Sequence, residues 1–430
     1  MAMATAAGAR PLPHVGRSRH HSFGFWVAAL AFLVNMGFSA VPTPLYVLYQ
    51  RRDHFSTIMI TVVYAAYAVG VIGSLFLGGH ISDWVGRKRV FVPALLINVV
   101  SALIFLRAPS LPGLLVARVI CGVSVGLTTA SATAYLAELH LGIFADEGTR
   151  SPRTAQIVAT AVNLGGIGVG PLIAGLLAEY TVQPLRLPYV VFGASLVVLA
   201  VLVAVAPETT ERPDPVPSWR PQRIAVPAYA RRIFFAATAA GIASFAVFGV
   251  FNSLAPSFLA GTLHQTSHAV AGAVAFAAFA AGALAQIALS RVRIGLTLRS
   301  GVVLLVPGLA LLAVGMWLPS AAIFVVGGVV TGEGSGLVFR GALAAAGSAA
   351  PSESRAEVLA GFFLGAYIGL SVPVLGLGVA TQFVPGRDAM LAFVAIIAVA
   401  VLFCTRAVLA ELPGDGEART MLQPHSRGRF

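Results

Sequence analysis

Residues 90–106 read VFVPALLINVVSALIFL, and the basic triplet Arg87-Lys88-Arg89 stands directly before this run. The run contains no charged side chain, and it does not alternate between apolar and polar residues as the strands of a membrane barrel do. In lipid the backbone must satisfy its own hydrogen bonds, so only helices and closed barrels can span. A continuous apolar run of this length therefore predicts a membrane-spanning α-helix.

The rest of the chain has the same character. Hydrophobic residues make up 58% of its 430 residues and charged residues only 10%, whereas a soluble domain is typically about one quarter charged. We therefore predict an all-α membrane protein with twelve transmembrane helices. The predicted spans are 23–49, 57–81, 90–107, 112–138, 153–179, 187–206, 232–261, 267–290, 300–317, 320–348, 356–382 and 387–410.

The net charge of +12 is distributed unevenly along the chain. If the N-terminus is cytoplasmic, most of the 28 lysine and arginine residues fall in cytoplasmic segments, as the positive-inside rule expects. The basic balance is then a topology signal and not a nucleic-acid-binding surface. It predicts that both termini are cytoplasmic, and the composition favours a multi-pass protein of the bacterial plasma (inner) membrane.

The segment 207–231 interrupts the apolar pattern with prolines and charges, which predicts a cytoplasmic linker. It separates an N-terminal six-helix bundle, 23–206, from a C-terminal six-helix bundle, 232–410, with cytoplasmic tails at 1–22 and 411–430. Short segments repeat between the halves: AYAVG at 66–70 is similar to AFAAG at 278–282. We therefore expect two pseudo-symmetric bundles.

The loop after the second span reads GHISDWVGRK at 79–88. It resembles the G-x-L-x-D-R-x-G-R-[RK] loop of the major facilitator superfamily of transporters, with Trp84 where that family usually has arginine. The resemblance implies a conformational latch in which Asp83 meets the N-terminus of the eleventh helix, and Glu138 is a candidate partner for Arg87. A generic basic loop is the alternative. The predicted latch comprises Gly79, Asp83, Gly86, Arg87, Lys88 and Glu138.

The fourth span contains Arg118, Gly122 and Gly126, which resembles the R-x-x-x-G-x-x-x-G motif of the same family. Residues spaced by four share one helical face, so the glycines allow a neighbouring helix to approach closely. An arginine inside the membrane usually faces the interior of the bundle. The alternative is that Arg118 extends its charged end to the outer membrane surface.

The fifth span reads GIGVGPLIAG at 166–175 and resembles the motif of the antiporter branch of the family, with Ala174 in place of one late glycine. Pro171 removes a backbone hydrogen bond and the glycines thin the helix, so we expect a bend and a close helix contact. An ordinary kinked helix is the alternative. The candidate residues are Gly166, Gly170, Pro171 and Gly175.

Glu333 is the acidic residue placed nearest the middle of a predicted span. An ionised carboxylate there costs about 2.5–3.5 kcal/mol, so proton exchange at Glu333 is physically reasonable. A structural ion pair with Arg340, seven residues on, is the alternative. In the resembled family the first, fourth, seventh and tenth helices line a central cavity. The alternative for Asn35 and Asn252 is that each forms hydrogen bonds between helices and does not face the cavity. The expected cavity residues are Asn35, Arg118, Asn252, Glu333 and Arg340.

Three hypotheses for function follow. The favoured one is a proton-coupled antiporter that exports a small organic, drug-like solute by alternating access. The second is a proton symporter or uniporter for uptake of a small metabolite, and the third is a membrane sensor or scaffold without transport. The sequence offers no nucleotide-binding loop, no metal-ligand spacing and no nucleophile beside a base. We therefore expect no enzyme activity, no cofactor and no ATP drive, and as partners the solute, protons and lipid but no nucleic acid.

Overall fold

The computed structural model of the chain describes residues 15–143, 153–210, 220–221, 226–351 and 355–412. All regular secondary structure within these ranges is helical. The helices are α1 (Val15–Ala40), α2 (Tyr46–Asp53), α3 (Thr57–Gly78), α4 (Ser82–Val85), α5 (Arg87–Arg107), α6 (Leu111–Ile143), α7 (Arg153–Tyr180), α8 (Leu187–Val205), α9 (Arg231–Ser253), α10 (Ala255–Gly261), α11 (His268–Ala288), α12 (Ile294–Trp317), α13 (Ala321–Ser348), α14 (Arg355–Ala380) and α15 (Gly386–Glu411).

Twelve helices in the described ranges are long and apolar enough to cross a membrane. This confirms the predicted all-α membrane fold with twelve spans. The helices α2, α4 and α10 are too short to span. The predicted tails are 1–22 and 411–430, and their residues 1–14 and 413–430 lie outside the described residues, as does most of the predicted linker.

Two predicted spans, 23–49 and 232–261, are broken near their ends. The first span stops at Ala40 and restarts as α2 at Tyr46, because Pro42 and Pro44 cannot donate backbone hydrogen bonds. The seventh span stops at Ser253, and Pro256 then lies in the first turn of α10, where its missing N–H group is tolerated. Each of these two predicted spans therefore consists of a membrane-crossing helix followed by a short second helix.

The helices before and after the linker pack in the same pattern. In the first half, α1 contacts α6, α7 and α8, while α5 contacts α6 and α8, and α3 contacts α6. In the second half, α9 contacts α13, α14 and α15, while α12 contacts α13 and α15, and α11 contacts α13. The halves meet along two helix pairs, α7 with α11 and α3 with α14. The arrangement is therefore pseudo-symmetric, both within the halves and across their interface.

Close packing inside each half depends on glycine. A Cβ atom on Gly122 of α6 would lie 2.0 Å from the Tyr67 carbonyl oxygen of α3. At the corresponding place in the second half, a Cβ atom on Gly332 of α13 would lie 2.2 Å from the Ala278 carbonyl oxygen of α11. Neither contact is possible for a larger residue without separating the helices, so the repeated glycines fix equivalent helix pairs in both halves.

The two ends of the bundle differ. At one end the Lys88 ammonium group donates hydrogen bonds to the Ala204 and Ala206 carbonyl oxygens, at 3.1 and 2.9 Å, where α8 passes into the linker. We call this end the linker side. The short helices α2 and α10 contact each other at the opposite end, which we call the far side. The linker side corresponds to the predicted cytoplasmic side.

Candidate functional site: a central cavity between the two halves

A cavity of about 1070 Å³ lies between the two halves. The first half contributes α3, α6 and α7 to its wall, and the second half contributes α9, α11, α13 and α14. His80 and Asp83 of the loop after α3 lie at its edge together with Arg220 and Pro221 of the linker. The cavity is therefore open on the linker side.

The second half provides an aromatic wall, which we define as Phe245, Phe248, Phe279, Phe339 and Tyr367. Phe245 packs on Phe339 with ring centroids 4.4 Å apart, and Phe248 stacks on Phe279 at 4.8 Å. The Tyr367 ring meets Phe245 edge-on at 6.2 Å. These separations lie in or close to the range of about 4.5–7 Å that aromatic pairs prefer, so the wall is a preformed surface for a further ring.

The first half provides a neutral polar wall opposite. Thr129 and Thr133 project from α6, and Gln156, Thr160 and Asn163 project from α7. Their hydroxyl and amide groups can donate and accept hydrogen bonds but carry no charge. The charged side chains among the described lining residues are Asp83, Arg220 and Glu357, which lie toward the open mouth. The cavity therefore has clustered aromatic rings on the second half, and uncharged polar groups interspersed with apolar residues such as Tyr67 and Ile167 on the first half.

Polar contacts between the halves close the far side. The Thr43 hydroxyl donates to the Asn252 side-chain oxygen at 2.7 Å and lies 2.8 Å from the Asn252 carbonyl oxygen. Thr43 follows α1 and Asn252 lies on α9, so these bonds join the two halves. Asn252 also lines the cavity. Of the five predicted cavity residues, it is the one placed on the cavity wall among the described residues.

The fifth-span motif forms the other part of this closure. Gly166 and Gly170 of α7 face α1, since a Cβ atom on Gly170 would lie 1.9 Å from the Gly37 carbonyl oxygen. Gly175 faces α11 of the other half, where a Cβ atom would lie 2.4 Å from the His268 carbonyl oxygen. A Cβ atom on Gly272 would likewise lie 2.2 Å from the Pro171 carbonyl oxygen. The motif therefore brings α7 into close contact with both halves.

Arg118 lies in the interior and does not reach the membrane surface. Its side chain is 1% exposed. One terminal nitrogen donates to the Ser39 carbonyl oxygen at 2.5 Å, and the guanidinium carbon lies 4.9 Å from the Tyr67 ring centroid and 5.5 Å from that of Tyr64. Ser39 and Tyr67 line the cavity and contact Arg118, so Arg118 lies directly behind these two residues at the inner end of the cavity.

Asn35 is not a cavity residue, contrary to the expectation from sequence. Its side chain is fully buried among α1, α5 and α6. Its amide donates to the Thr128 hydroxyl at 2.9 Å and its oxygen accepts from the Asn98 amide at 2.8 Å and the Ser124 hydroxyl at 3.3 Å. This network satisfies Asn35 within the first half, as in the alternative interpretation of interhelical hydrogen bonding.

Glu333 is also absent from the cavity wall formed by the described residues. Gly332 and Gly328 on the same helix face α11 and α9, whereas Glu333 is rotated by about 100° from Gly332. It shares a face with Val326, which is 53% exposed, and the Glu333 side chain is itself half-buried. Glu333 therefore lies outside the cavity wall formed by the described residues, on a face of α13 that turns toward its outer side. Its role in proton exchange stays a prediction.

Arg340 does not pair with Glu333 in the described structure. Its guanidinium donates to the Gln286 carbonyl oxygen at 2.5 Å and to the Ser290 carbonyl oxygen at 2.8 Å. These are backbone acceptors at the C-terminal end of α11, where a cation is favourable. Arg340 therefore caps α11 on the linker side and is not among the described residues of the cavity wall.

The loop after α3 makes one of the two contacts expected of the latch, the pairing of Arg87 with Glu138, but not the contact of Asp83 with the eleventh span. Arg87 donates to Glu138 at 2.9 and 3.0 Å, to the Ser82 hydroxyl at 2.9 Å and to Asp83. Asp83 is thus bound to Arg87 on its own loop, and α4, which carries Asp83, packs against α5 and α6. The expected contact of Asp83 with the eleventh span, α14, is absent from the described contacts, since the cavity mouth separates the two here.

The start of the linker joins this network, and sequence reasoning missed it. The Thr209 hydroxyl donates to Glu138 at 2.5 Å, and the Glu208 carboxylate lies against the loop, 3.4 Å from the Lys88 backbone nitrogen. A Cβ atom on Gly86 would lie 2.6 Å from a Glu208 oxygen, and Gly86 has φ +119°. The available signal was an acid placed directly after an apolar span, next to a proline.

Comparison with known proteins identifies sequences that are similar to this chain. The sequence profile of the Major Facilitator Superfamily matches residues 25–369. The puromycin resistance protein of Streptomyces alboniger is 37% identical over 118 residues, which is 27% of this chain and 22% of that protein. The arabinose-proton symporter of Bacillus subtilis is 25% identical over 131 residues, which is 29% of this chain and 28% of that protein. Each match spans less than a third of the relative's length.

A solved structure agrees over a much longer stretch. The nucleoside transporter NupG superposes with a TM-score of 0.66 over 91% of this chain and 100% of its own, at 14% identity. This likeness shows the fold. Together with the profile, which matches most of the sequence, it shows that the chain belongs to the Major Facilitator Superfamily of membrane transporters.

Proposed function

We propose that this transporter exports a small aromatic organic solute by alternating access through the central cavity. The observation that carries the proposal is the aromatic wall, Phe245, Phe248, Phe279, Phe339 and Tyr367, facing a neutral polar wall. Rings on a solute can stack on the first wall while its polar groups bind the second. A sugar would instead require many convergent hydrogen-bonding groups around it.

The size of the cavity supports a drug-sized solute. Ligand sites in proteins usually enclose about 300–1,000 Å³, with mostly apolar walls and a few placed polar groups. At about 1070 Å³ this cavity lies at the upper end of that range. The likeness to a puromycin resistance protein is consistent with an aromatic solute, since puromycin carries aromatic rings.

The arrangement of the halves supports alternating access. The cavity is open on the linker side, while Thr43, Asn252 and the α7–α11 contact close the far side. Exchange between the two access states would require α7 to separate from α11 and α3 from α14 on the far side. Rocking of two pseudo-symmetric halves about a central site is the common mechanism in such folds.

Proton coupling remains a prediction. Glu333 is not on the cavity wall formed by the described residues, so we propose Asp83 and Glu357 at the mouth as the carboxylates that exchange protons with the cavity. Export by antiport requires protons to enter as the solute leaves. An experiment must therefore show whether protons and solute move in opposite directions.

The test is transport of puromycin in proteoliposomes under an imposed pH gradient, with uridine and arabinose as competitors. Accumulation driven by an acidic interior, competed by uridine more than by arabinose, supports antiport of an aromatic solute. Accumulation driven by an acidic exterior would show symport and overturn the proposed export. The absence of any protein-dependent exchange would favour the sensor or scaffold hypothesis.

A further inference from the structure

The guanidinium of Arg118 is a buried cation without an anionic partner among the described residues. It is 1% exposed, and its acceptor among the described residues is the Ser39 carbonyl oxygen. The Nε–H group has no acceptor. The rings of Tyr64 and Tyr67 give cation–π contacts, which only partly replace the hydration that burial removes.

Arg340, a half-buried arginine at the linker-side end of α11, is satisfied differently. Arg340 donates to two backbone carbonyl oxygens at the end of α11. A buried charge is normally paired or fully hydrogen-bonded, because an uncompensated one is costly in a medium of low dielectric constant. Arg118 therefore has free binding capacity that Arg340 lacks.

A tyrosine hydroxyl completes the surroundings of Arg118 on the far side. The Tyr46 hydroxyl is buried and has no hydrogen-bond partner within the described structure. It interacts electrostatically with Arg118. Burial raises the pKa of Tyr46 and the nearby Arg118 cation lowers it by less, so the hydroxyl is a neutral donor at physiological pH. A guanidinium and an unpartnered hydroxyl together can bind an anion.

The cavity reaches this group through shared residues. Ser39 and Tyr67 line the cavity, and the same two residues contact Arg118. The Tyr67 ring is the partition between the guanidinium and the inner end of the cavity. A change of the Tyr67 rotamer, or opening of the far side, would expose the guanidinium to the cavity.

We propose that Arg118 forms an anion subsite at the inner end of the cavity, so that an aromatic monoanion, a carboxylate or a sulfonate, binds more tightly than a neutral aromatic solute of the same shape. This inference rests on the proposed function. The ring of the solute binds the aromatic wall, and its anionic group binds Arg118 and the Tyr46 hydroxyl. An anion exported from a cell with a negative interior moves down the electrical gradient, so the membrane potential drives its export without a carboxylate in the inner cavity.

Equilibrium binding of benzenesulfonate and of its neutral isostere benzenesulfonamide to the purified protein tests the subsite. We expect the wild type to bind the sulfonate at least tenfold more tightly, and Arg118→Gln to bring the two affinities to within about twofold. Arg340→Gln is the control, since it also removes an arginine of the second half's inner helices that lies off the cavity wall, and it should keep the preference.

Equal affinities in the wild type, or a preference that survives in Arg118→Gln, would overturn the subsite. If Arg118→Gln does not fold, Tyr46→Phe is the deciding variant. A preference for benzenesulfonate that falls about threefold supports the subsite, and an unchanged preference overturns it. The failures are distinguishable. Equal binding of both ligands rejects the subsite and keeps the proposed aromatic solute, whereas binding of neither ligand rejects the proposed function itself.

Discussion

The close contact between α7 and α11 predicts that one added methyl group strongly shifts the equilibrium between the linker-side-open and far-side-open states. Gly175 on α7 faces the backbone of α11, and the Cβ atom of an alanine there would lie 2.4 Å from the His268 carbonyl oxygen. The opposing group is backbone and cannot rotate away. Gly175→Ala must therefore separate the two helices by roughly 1 Å at this level to reach an ordinary van der Waals contact of 3.4 Å or more.

This strain acts on one access state only. Overpacking a close contact costs about 1–3 kcal/mol, and the cost disappears when the far side opens and α7 leaves α11. The gain in helix propensity from glycine to alanine is about 1 kcal/mol but applies to both states and cancels. Gly175→Ala should therefore raise the ratio of far-side-open to linker-side-open molecules by about 5- to 150-fold.

Distances between spin labels on the far side measure this ratio. Tyr180 at the end of α7 and Phe383 after α14 belong to opposite halves and are 78% and 82% exposed. Cysteines at these positions, with Cys121 and Cys404 replaced by alanine, would report a short distance in the wild type. Gly175→Ala should add a longer-distance population.

Gly165→Ala on the same helix is the matched control, because a Cβ atom there meets nothing within 4 Å. It should leave the distance distribution of the wild type unchanged. The reasoning is refuted if Gly175→Ala gives the wild-type distribution, or if Gly165→Ala shifts it equally.

Three further predictions concern individual residues. Asn35→Ala leaves Asn98 and Thr128 without their partner, so it should lower the free energy of unfolding by about 1–3 kcal/mol, seen as a lower thermal midpoint, while substrate affinity stays within about twofold. Gly86→Ala should lower the midpoint more than Gly376→Ala, because Gly86 has φ +119° and opposes Glu208 whereas Gly376 faces open space; equal effects would refute this. Glu333→Gln should change the initial transport rate by less than about twofold in proteoliposomes, since Glu333 lies outside the cavity wall formed by the described residues, and loss of transport would return Glu333 to the mechanism.

The membrane-spanning fold was predictable because lipid constrains the backbone uniformly. Any long apolar segment such as 90–106 has to form a helix there, whatever its side chains contact. The breaks before Tyr46 and after Ser253 depend on individual prolines, and Pro42, Pro44 and Pro256 were visible in the sequence. The span ends were therefore less predictable than the spans.

The orientation of polar side chains within a span was harder to predict from the sequence. An acid in the middle of a span can face the cavity, a neighbouring helix or the outer side, and spacing alone does not decide between them. For Glu333 the deciding signal was the neighbouring glycines: Gly332 and Gly336 mark the face that packs on α11, and Glu333 lies beside that face. Its face also contains the exposed residues Val326 and Ala344.

The cavity wall itself could not be read from the sequence. Phe245, Phe279 and Phe339 come from three different helices, and apolar aromatic residues occur throughout the chain. Only the helix packing separates them from lipid-facing residues such as Phe235, which is 64% exposed. Arg118 was placed in the interior by its motif, but its lack of an anionic partner appears only in the folded chain.

The most direct test of the central claim is the affinity for puromycin of Phe245→Ala compared with Phe235→Ala. Both phenylalanines lie on α9, but Phe245 belongs to the aromatic wall and Phe235 faces away from the cavity. Loss of one stacking ring should cost about 1.4 kcal/mol, or tenfold in Kd. We expect Phe245→Ala to raise Kd about tenfold and Phe235→Ala to leave it within twofold. Equal effects of the two substitutions, or an unchanged Kd in Phe245→Ala, would contradict the assignment of the aromatic wall as the solute site.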